Sequence, residues 1–455
     1  MEASIREIAE SFCNRKLSPA ELTKHCLERI EKLNPVLNAF ITVTAESALA
    51  AARAAESEIR QGNWRGPLHG IPIALKDLID TAGVATTAGS ALFQHRVPAA
   101  DAEVVRRLKQ AGAILLGKQN LHEFAYGGSS MISHFGEVRN PWNPAHIAGG
   151  SSGGCASAVA AGMCFAALGT DTAGSIREPA ALCGIVGLKP TYGRVSARGV
   201  IPLSPSLDHV GPLTRTVSDA ALALQAIAVP GPGAEGAPDF SAAMANPGSK
   251  MRIGVPRQFF YEDLDQEVET VIKKAISVLQ DLGGIVHELE LTVPTDRTLQ
   301  SAESYAVHAE NIARNPELYQ PETLRRIRTG EKITAEEVLR CRRELAELRA
   351  SVRSVFEEVD VLVTPTTPIA APVIAELKQN PDLLRPREIL LLRNTRPVNV
   401  WGLPAISVPC GFTSEGLPIG LQIIGLPWGE AGVLQVAHAF EQATGWHKRR
   451  PEMSA

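Results

Sequence analysis

Short apolar runs alternate with amphipathic segments in the first part of the chain. Residues 71–75 form an apolar run of strand length, residues 102–110 place apolar side chains at helical spacing, and residues 113–116 form a second apolar run. A strand that leads into a helix and then into another strand is typical of sheets covered by helices. The pattern therefore predicts an α/β fold.

Capping signals mark the starts of two predicted helices. Residues 18–21 read Ser-Pro-Ala-Glu, a capping box with proline at the first helical position, and residues 334–337 read Thr-Ala-Glu-Glu, a second capping box. Because a residue that precedes proline disfavours helical geometry, we expect the first of these helices to end at Asn34, before Pro35. Apolar patterning predicts further helices at residues 46–60, 266–282 and 433–440, strands at 251–255 and 360–363, and two strands within 404–444.

The composition is that of an ordinary globular protein. The 455 residues are 45% hydrophobic and 21% charged, and 45 Lys and Arg nearly balance 49 Asp and Glu, for a net charge of −4. A chain of this length removes roughly three quarters of its unfolded surface from water, which is enough to bury a catalytic site. Balanced charge offers no cationic excess for nucleic acid or an anionic membrane, so we expect a small, uncharged or weakly charged substrate.

Neither a signal peptide nor a membrane-spanning helix is predicted. The longest apolar stretch, residues 155–168, is too short to span a bilayer, and the first residues mix charged with apolar side chains. The seven cysteines are scattered and contain no CxxC pair, which favours a reducing cytoplasm and gives no metal-site spacing. We therefore expect a cytoplasmic protein with no metal and no cofactor.

Three short motifs resemble known sites but each lacks a part that the chemistry requires. Residues 112–118 match GxxxxGK, but Gln119 stands where a phosphate-binding loop has Ser or Thr. Residues 122–126 begin as the zinc motif HExxH, but Tyr126 occupies the position of the second histidine. Residues 149–154, Gly-Gly-Ser-Ser-Gly-Gly, match the nucleophile elbow GxSxG, and they keep an α/β-hydrolase-type esterase open as an alternative although no apolar strand precedes them.

A second group of residues carries a more specific pattern. Lys76 ends the apolar run 71–75, Ser151 lies in the Gly/Ser loop, and Ser175 follows in the segment 169–179. Together with residues 183–194, these segments resemble the amidase signature family, hydrolases with a Ser-cisSer-Lys triad, and the resemblance covers most of the chain. It implies a large mixed central β-sheet with α-helices on both faces, in a single domain of residues 1–455. Within it we expect a catalytic core at 71–215, a surface linker at 229–250 and a helical insert at 297–350 that shapes the substrate pocket.

The resemblance assigns roles to the three residues. Ser175 would be the nucleophile and Lys76 the general base. Ser151, which would follow a cis peptide bond, would be the proton relay. A lysine removes a proton only when it is uncharged, and burial among apolar residues lowers the pKa of Lys76. Since consecutive strand residues face opposite sides of a sheet, we expect Asp77 to point away from Lys76.

Further residues are expected to line the site. An oxyanion is expected to be stabilised by the backbone of Thr172, Ala173, Gly174 and Ser175. The commoner form of the family has a second glycine where this chain has Ala173. The turn is expected to be supported by Ser152, Thr170, Asp171 and Arg177. Substrate contacts are expected from Tyr126, Gly127, Gly128, Ser129, Met131 and Trp401.

The predicted reaction is hydrolysis of a carbon–nitrogen bond in an amide, an aryl amide or a carbamate (urethane). Residues 206–215 and 403–412 are similar to the A subunit of glutamyl-tRNA amidotransferases, whereas residues 297–349 lack the tyrosine- and glycine-rich segments of that protein. We therefore expect a stand-alone amidase, with the glutaminase A subunit of a tRNA-dependent amidotransferase as the alternative. The sequence leaves open whether the chain forms a homodimer.

Overall fold

An 11-stranded β-sheet runs through the molecule. The computed structural model describes residues 3–244 and 251–453. The strand order is β1-β3-β2-β4-β6-β5-β10-β11-β9-β7-β8. The strands are β1 Phe40–Val43, β2 Pro72–Lys76, β3 Ile114–Gln119, β4 Ala166–Asp171, β5 Val186–Lys189, β6 His209–Thr214, β7 Arg252–Pro256, β8 Ile285–Leu289, β9 Val361–Pro365, β10 Ala405–Phe412 and β11 Pro418–Gly425.

Helices pack against this sheet along the whole chain. They are α1 Ile5–Cys13, α2 Pro19–Leu37, α3 Ala45–Arg60, α4 Glu103–Gln110, α5 Gly153–Ala160, α6 Arg177–Cys183, α7 Val217–Ile227, α8 Phe240–Ala243, α9 Gln266–Asp281, α10 Thr298–Arg314, α11 Pro321–Ile327, α12 Ala335–Ser351, α13 Val355–Glu358, α14 Ile374–Gln379, α15 Pro381–Leu391, α16 Arg396–Trp401 and α17 Glu430–Thr444. The sheet is mixed, because β2 pairs in parallel with β3 and β4 whereas β4 pairs in antiparallel fashion with β6. The predicted α/β fold with a large mixed sheet is confirmed.

The pairing of β2 with β4 positions the polar residues of the predicted site. The two strands are parallel neighbours, so their carboxyl ends, at Lys76 and Asp171, lie at the same edge of the sheet. Every residue of both strands is buried. A polar side chain at the end of either strand is therefore held by a rigid, water-poor core.

The helix α2 differs from the prediction at its carboxyl end. It continues through Pro35 and ends at Leu37, where Asn38 adopts left-handed geometry with φ 51°. Proline removes one backbone hydrogen bond, but the last turn is held by Leu33 and Leu37, which are both buried. Core packing at these two leucines therefore extends the helix past Pro35. Both predicted capping boxes, at Ser18 and at Thr334, are confirmed.

Two segments bear on the remaining sequence predictions. Residues 245–250 of the predicted linker lie outside the described residues, and the first part of that linker contains the short helix α8.

The serine of a nucleophile elbow directly follows a strand. Here the strand before residues 149–154 is β3, which ends at Gln119, and the chain reaches residue 152 through a 3-10 turn and isolated bridges. This connection contradicts the esterase alternative. In the part of the chain that the structure describes, no helix is both long and apolar enough to cross a bilayer.

Candidate active site

Lys76 lies at the buried carboxyl end of β2 and contacts two hydroxyl groups. Its Nζ donates to Ser151 Oγ at 2.6 Å and to Thr170 Oγ1 at 2.9 Å. The side chain of Lys76 has no exposed surface, and Ser151 is equally buried. The structure thus brings together two of the three residues that the sequence singled out, although they are far apart in the chain.

Burial sets the protonation of Lys76. Removal from water lowers the pKa of Lys76 to about 7, against the opposing influence of Cys155, Asp171 and Asp208. The neighbouring Asp77 does not face it, because Asp77 accepts a hydrogen bond from the Thr87 backbone at 2.9 Å and lies 3.2 Å from Lys118 Nζ. The prediction that Asp77 points away from Lys76 is confirmed. At neutral pH a substantial fraction of Lys76 is uncharged.

The loop that carries Ser151 is anchored on several sides. The peptide bond between Gly150 and Ser151 is cis, as the family resemblance implied. The Gly150 N–H donates to Glu178 Oε2 at 2.7 Å, and the Ser151 carbonyl accepts from the His122 N–H at 3.1 Å and from Ser130 Oγ at 3.3 Å. A Cβ at Gly150 would lie 2.8 Å from the backbone nitrogens of both Ser129 and Ser130, so only glycine fits there.

Glu178 is a residue of this site that the sequence analysis missed. It lies on α6 close to Ser175 in sequence, but only the fold shows that it anchors Gly150. Burial raises the pKa of Glu178 well above its usual range, opposed by the hydrogen bond from Gly150. Glu178 thus anchors the Ser151 loop from a buried position that disfavours its charged form.

Ser175 lies in the turn between β4 and α6. Its carbonyl oxygen accepts from the Ser152 N–H at 3.2 Å, which joins the Ser151 loop to residues 172–176, named the nucleophile turn after the role predicted for Ser175. Ser152 Oγ in turn donates to the Thr170 carbonyl at 3.2 Å. The Ser175 hydroxyl makes no hydrogen bond with any other described residue, so it is free to meet a substrate.

The carboxylate of Asp171 organises the nucleophile turn. It accepts from the N–H groups of Gly174 at 2.7 Å and Ile176 at 3.1 Å. Because the Gly174 N–H is already engaged, the expectation that it faces an oxyanion is wrong. The N–H groups of Thr172, Ala173 and Ser175 have no acceptor among the described residues, and these three remain available.

Asp171 and Arg177 form a buried ion pair behind the turn. Arg177 donates from Nε and Nη2 to the two carboxylate oxygens, each at 3.0 Å, and reaches Gln422 and Asn399 at 2.6 Å. Burial opposes ionisation of Asp171, but the charge and hydrogen bonds of Arg177 hold the pKa of Asp171 well below its usual range. These contacts are those of a structural support rather than of a reacting group.

Comparisons with known proteins identify the family of the chain. The family model described as Amidase matches residues 21–434. The chain belongs to the amidase family. It is an enzyme that acts on amide C–N bonds.

Individual relatives match nearly the whole amidase. The A subunit of glutamyl-tRNA(Gln) amidotransferase from Moorella thermoacetica is 40% identical over 98% of both chains. The solved structure of the peptide amidase from Stenotrophomonas maltophilia is 32% identical with a TM-score of 0.85, and covers 100% of this chain and 99% of that one. The solved A subunit of the Thermotoga maritima glutamyl-tRNA(Gln) amidotransferase is 33% identical with a TM-score of 0.81, and covers 100% of this chain and 98% of that one.

A cavity of the amidase opens beside Thr170, the residue whose hydroxyl contacts Lys76. It has a volume of about 240 Å³, and Thr170, Thr172 and Asp208 lie among its polar lining. Its apolar lining includes Ala125, Val200, Ile201, Pro202 and Leu203. Thr172 Oγ1 donates to Asp208 Oδ1 at 2.5 Å, and burial raises the pKa of Asp208 to about 6. Asp208 lies in the segment 206–215, which in the sequence stands out only by its resemblance to the amidotransferase A subunit, so this role of Asp208 was not predicted.

The predicted substrate-contacting residues divide into two groups. Tyr126 to Met131 form one loop beside Ser151, in which Ser129 Oγ donates to Glu388 Oε1 at 2.6 Å. Met131 packs against an apolar cluster that includes Ile147. Trp401 lies elsewhere: its ring is buried in a separate hydrophobic cluster, with its centroid 6.4 Å from that of Phe260. The structure therefore corrects the expectation for Trp401, which packs in the core.

The short motifs set aside in the sequence are engaged in structural contacts. Lys118 borders a cavity of about 730 Å³, but its Nζ donates to the Ile79 carbonyl and to Thr86 Oγ1, each at 2.7 Å. His122 is buried with its Nδ1 3.5 Å from Glu388. Across residues 3–244 and 251–453, no group of three or more His, Cys, Asp or Glu is placed to hold a metal ion.

Proposed function

We propose that this amidase hydrolyses its substrate through an acyl-enzyme on Ser175, with Ser151 as the proton relay and neutral Lys76 as the general base. The observation that carries the proposal is the hydrogen bond of 2.6 Å between fully buried Lys76 and Ser151. A buried amine with a pKa of about 7 is a competent base at neutral pH. Its only described hydrogen-bond partners are hydroxyl groups, through which a proton can pass.

The contact between Lys76 and Ser151 gives the first part of the relay, and the proposal adds a proton transfer from the Ser175 hydroxyl to Ser151. Lys76 takes the Ser151 proton while Ser151 takes that of Ser175, whose oxygen attacks the carbonyl carbon. The N–H groups of Ala173 and Ser175 stabilise the oxyanion. The proton then returns through Ser151 to the leaving nitrogen, the C–N bond breaks, and water hydrolyses the acyl-enzyme by the same relay.

A fluorophosphonate probe tests this chemistry. Labelling of Ser175, identified by peptide mass mapping, and its loss in Lys76→Ala and Ser151→Ala would support the proposal. Labelling that persists in both variants would contradict it, because a serine without its relay is a poor nucleophile.

The amide of glutamine is the substrate that the comparisons favour. Identity of 40% over 98% of both chains links this amidase to the A subunit of an amidotransferase. The insert at residues 297–350 predicted a stand-alone enzyme. We give it less weight than the similarity to the amidotransferase subunit, which extends along nearly the whole chain. We propose a glutamine-hydrolysing subunit that works with partner chains, in the cytoplasm.

A stand-alone amidase is the second candidate, and a specific observation favours it. At nearly equal identity, the fold agrees better with the peptide amidase, at TM-score 0.85, than with the Thermotoga protein, at 0.81. Aryl amides and carbamates are the candidate substrates for such an enzyme. Purification of the tagged chain from its own cells separates the two candidates: a transferase component co-elutes with partners and hydrolyses glutamine slowly alone, whereas a stand-alone amidase elutes alone, as monomer or homodimer, and is fully active.

A further inference from the structure

A groove runs along one face of α3 and lies apart from the proposed triad. Its lining residues on α3 extend from Ala45 to Glu58, and residues of β2, of β3 and of the loop 81–84 complete it around a volume of about 730 Å³. It shares no lining residue with the cavity beside Thr170, and Lys76, Ser151 and Ser175 do not line it. We call this space the α3 groove.

Small side chains on α3 leave the groove open. Ala51, Ala54 and Ala55 face it from the middle of the helix, and an alanine side chain is too short to fill the space. The apolar lining continues with Val43, Leu75, Val84, Ile114 and Leu115. Sites for small molecules have volumes of about 300–1,000 Å³ and mainly apolar linings. The α3 groove therefore has the size and the lining of a site for a small molecule.

Most charged residues that line the groove are already paired within the protein. The pairs are Arg65–Glu58, Lys109–Asp101 and Lys118–Asp77, at 2.6, 2.7 and 3.2 Å. His69 Nε2 also lies 3.1 Å from the carboxylate of Glu58. The remaining charged residue, Glu46, is exposed at the first turn of α3, where water screens its charge. A charged ligand would have to compete with these pairs, whereas a neutral ligand leaves them intact.

Apolar side chains are exposed beside the groove. Val43, which lines it, is 41% exposed, and Trp64 is 38% exposed with its ring 5.7 Å from that of His69, another lining residue. Exposed apolar surface that adjoins a groove is typical of a ligand-binding site. This observation is independent of the volume, and it too favours an apolar ligand.

The groove reaches the segment that positions Lys76. Leu75 lines it and directly precedes Lys76 on β2, and Lys118 lines it from β3. Lys118 Nζ donates to the Ile79 carbonyl at 2.7 Å, and the Ile79 N–H donates to the Lys76 carbonyl at 3.0 Å. A molecule that packs against Leu75 and Lys118 therefore restricts residues that hold Lys76 in place.

We propose that the α3 groove binds a neutral, largely apolar small molecule, and that its occupancy increases the reactivity of Ser175 through Lys76. The binding site goes beyond the proposed function, whereas the effect on Ser175 rests on it. A ligand that restricts Leu75 and Lys118 favours the arrangement in which Lys76 Nζ contacts Ser151. It can do so because it binds that arrangement more tightly than the alternatives.

Two fluorescent arenes test the binding site. N-phenyl-1-naphthylamine is neutral, and 8-anilinonaphthalene-1-sulfonate has the same rings with a sulfonate added. The fluorescence of both rises in an apolar environment. We expect the neutral arene to bind the wild-type enzyme about tenfold or more tightly than the sulfonate, since an unpaired anion is costly to remove from water. Absence of binding by the neutral arene, or equal binding of the two, would overturn the proposal.

Two substitutions on α3 locate the bound arene. Ala51→Trp and Ala54→Trp place a large ring in the groove and, because both alanines are exposed, should leave the fold intact. Each should weaken binding of the neutral arene about tenfold or more. Ala50→Trp is the matched control, because Ala50 is exposed on the same helix but does not line the groove, and it should bind like wild type. Tight binding that survives in both groove variants would place the arene elsewhere and refute the assignment.

The rate of fluorophosphonate labelling tests the effect on Ser175. A saturating concentration of the neutral arene should speed labelling of the wild-type enzyme about twofold or more, at the lower end of couplings between separate sites. It should leave the labelling rate of Ala54→Trp unchanged. An unchanged or slower rate in the wild-type enzyme would contradict the coupling. If Ser175 is not labelled at all, the proposed function fails, whereas the fluorescence measurements still decide whether the groove binds its ligand.

Discussion

The hydroxyl of Thr395 donates to the carbonyl oxygen of Ala173 at 2.7 Å and supports the nucleophile turn from behind. A Cβ at Gly174 would lie 2.0 Å from this hydroxyl, and the φ of Gly174 is +138°. The close approach of Thr395 and the backbone conformation therefore both require glycine immediately before Ser175.

Gly174→Ala is expected to abolish labelling of Ser175 by a fluorophosphonate. The added methyl group overlaps Thr395 Oγ1 and must displace either the turn or α16. Backbone strain alone destabilises by about 1–3 kcal/mol, and thermal unfolding should report that loss. The control is Gly193→Ala, where φ is +84° and a Cβ meets no atom within 4 Å. Equal labelling of Gly174→Ala and wild-type enzyme would contradict the assigned turn geometry.

The three residues of the proposed triad could be singled out in the sequence because each lies in a local pattern. Lys76 ends an apolar run, and Ser151 and Ser175 lie in Gly- and Ser-rich segments with few alternative explanations. The structure brings Lys76 to Ser151 and joins the Ser175 turn to the Ser151 loop, because β2 and β4 are parallel neighbours. Strand positions and capping boxes were predictable for the same reason, since they depend on neighbouring residues.

The supporting contacts could not be predicted, because they join distant segments. Thr395 and Asp208 have no distinctive local pattern, and only the fold brings them to the nucleophile turn. Trp401 was expected in the pocket from its residue type, but the direction of α16 turns its ring into the core. Gly174 was wrongly expected to donate its N–H to the oxyanion, because that N–H already donates to Asp171, three residues earlier in the chain.

The acid side of the pH–rate profile should reflect Lys76. Protonated Lys76 cannot accept a proton, so kcat/KM is expected to rise with pH and to level off above a midpoint near the pKa of about 7. The measurement is kcat/KM for a substrate whose charge is constant between pH 5 and 9. A rate that is flat through pH 7, or that falls as the pH rises, would exclude neutral Lys76 as the base.

Asp208→Asn should shift this profile toward lower pH. The negative charge of Asp208 raises the pKa of Lys76, so its removal makes the lysine easier to deprotonate. The asparagine keeps one oxygen that can accept from Thr172 but loses the second acceptor, which faces the Leu203 N–H at 2.9 Å, so thermal unfolding must first show that the variant is folded. Asp101→Asn is the control, because Asp101 is paired with Lys109 at 2.7 Å and should leave the midpoint unchanged. A midpoint that moves to higher pH in Asp208→Asn would contradict the argument.

Asp171→Asn is expected to destabilise the fold strongly. Arg177 has no exposed surface and would keep its charge without the carboxylate that neutralises it. Loss of one partner of a buried pair lowers the free energy of unfolding by about 3–5 kcal/mol, which urea titration can measure. Asp360→Asn disrupts the exposed pair with Arg252, in which both side chains are at least 40% exposed, and should have a much smaller effect. Equal effects of the two substitutions would show that Asp171 does not hold the turn.

Glu178 allows a distinction between charge and hydrogen bonding at the Ser151 loop. Burial raises the pKa of Glu178, which favours its neutral form, and the oxygen of a glutamine can accept from the Gly150 N–H as the carboxyl group does. Glu178→Gln should therefore keep Ser175 labelling close to wild type. Glu178→Ala leaves the Gly150 N–H without an acceptor. Because an unpaired buried donor is unfavourable, this variant should slow labelling about tenfold or more. If Glu178→Gln were as slow as Glu178→Ala, the carboxylate would have to act through its charge. Glu178 would then be ionised despite its burial beside Gly149 and Gly150.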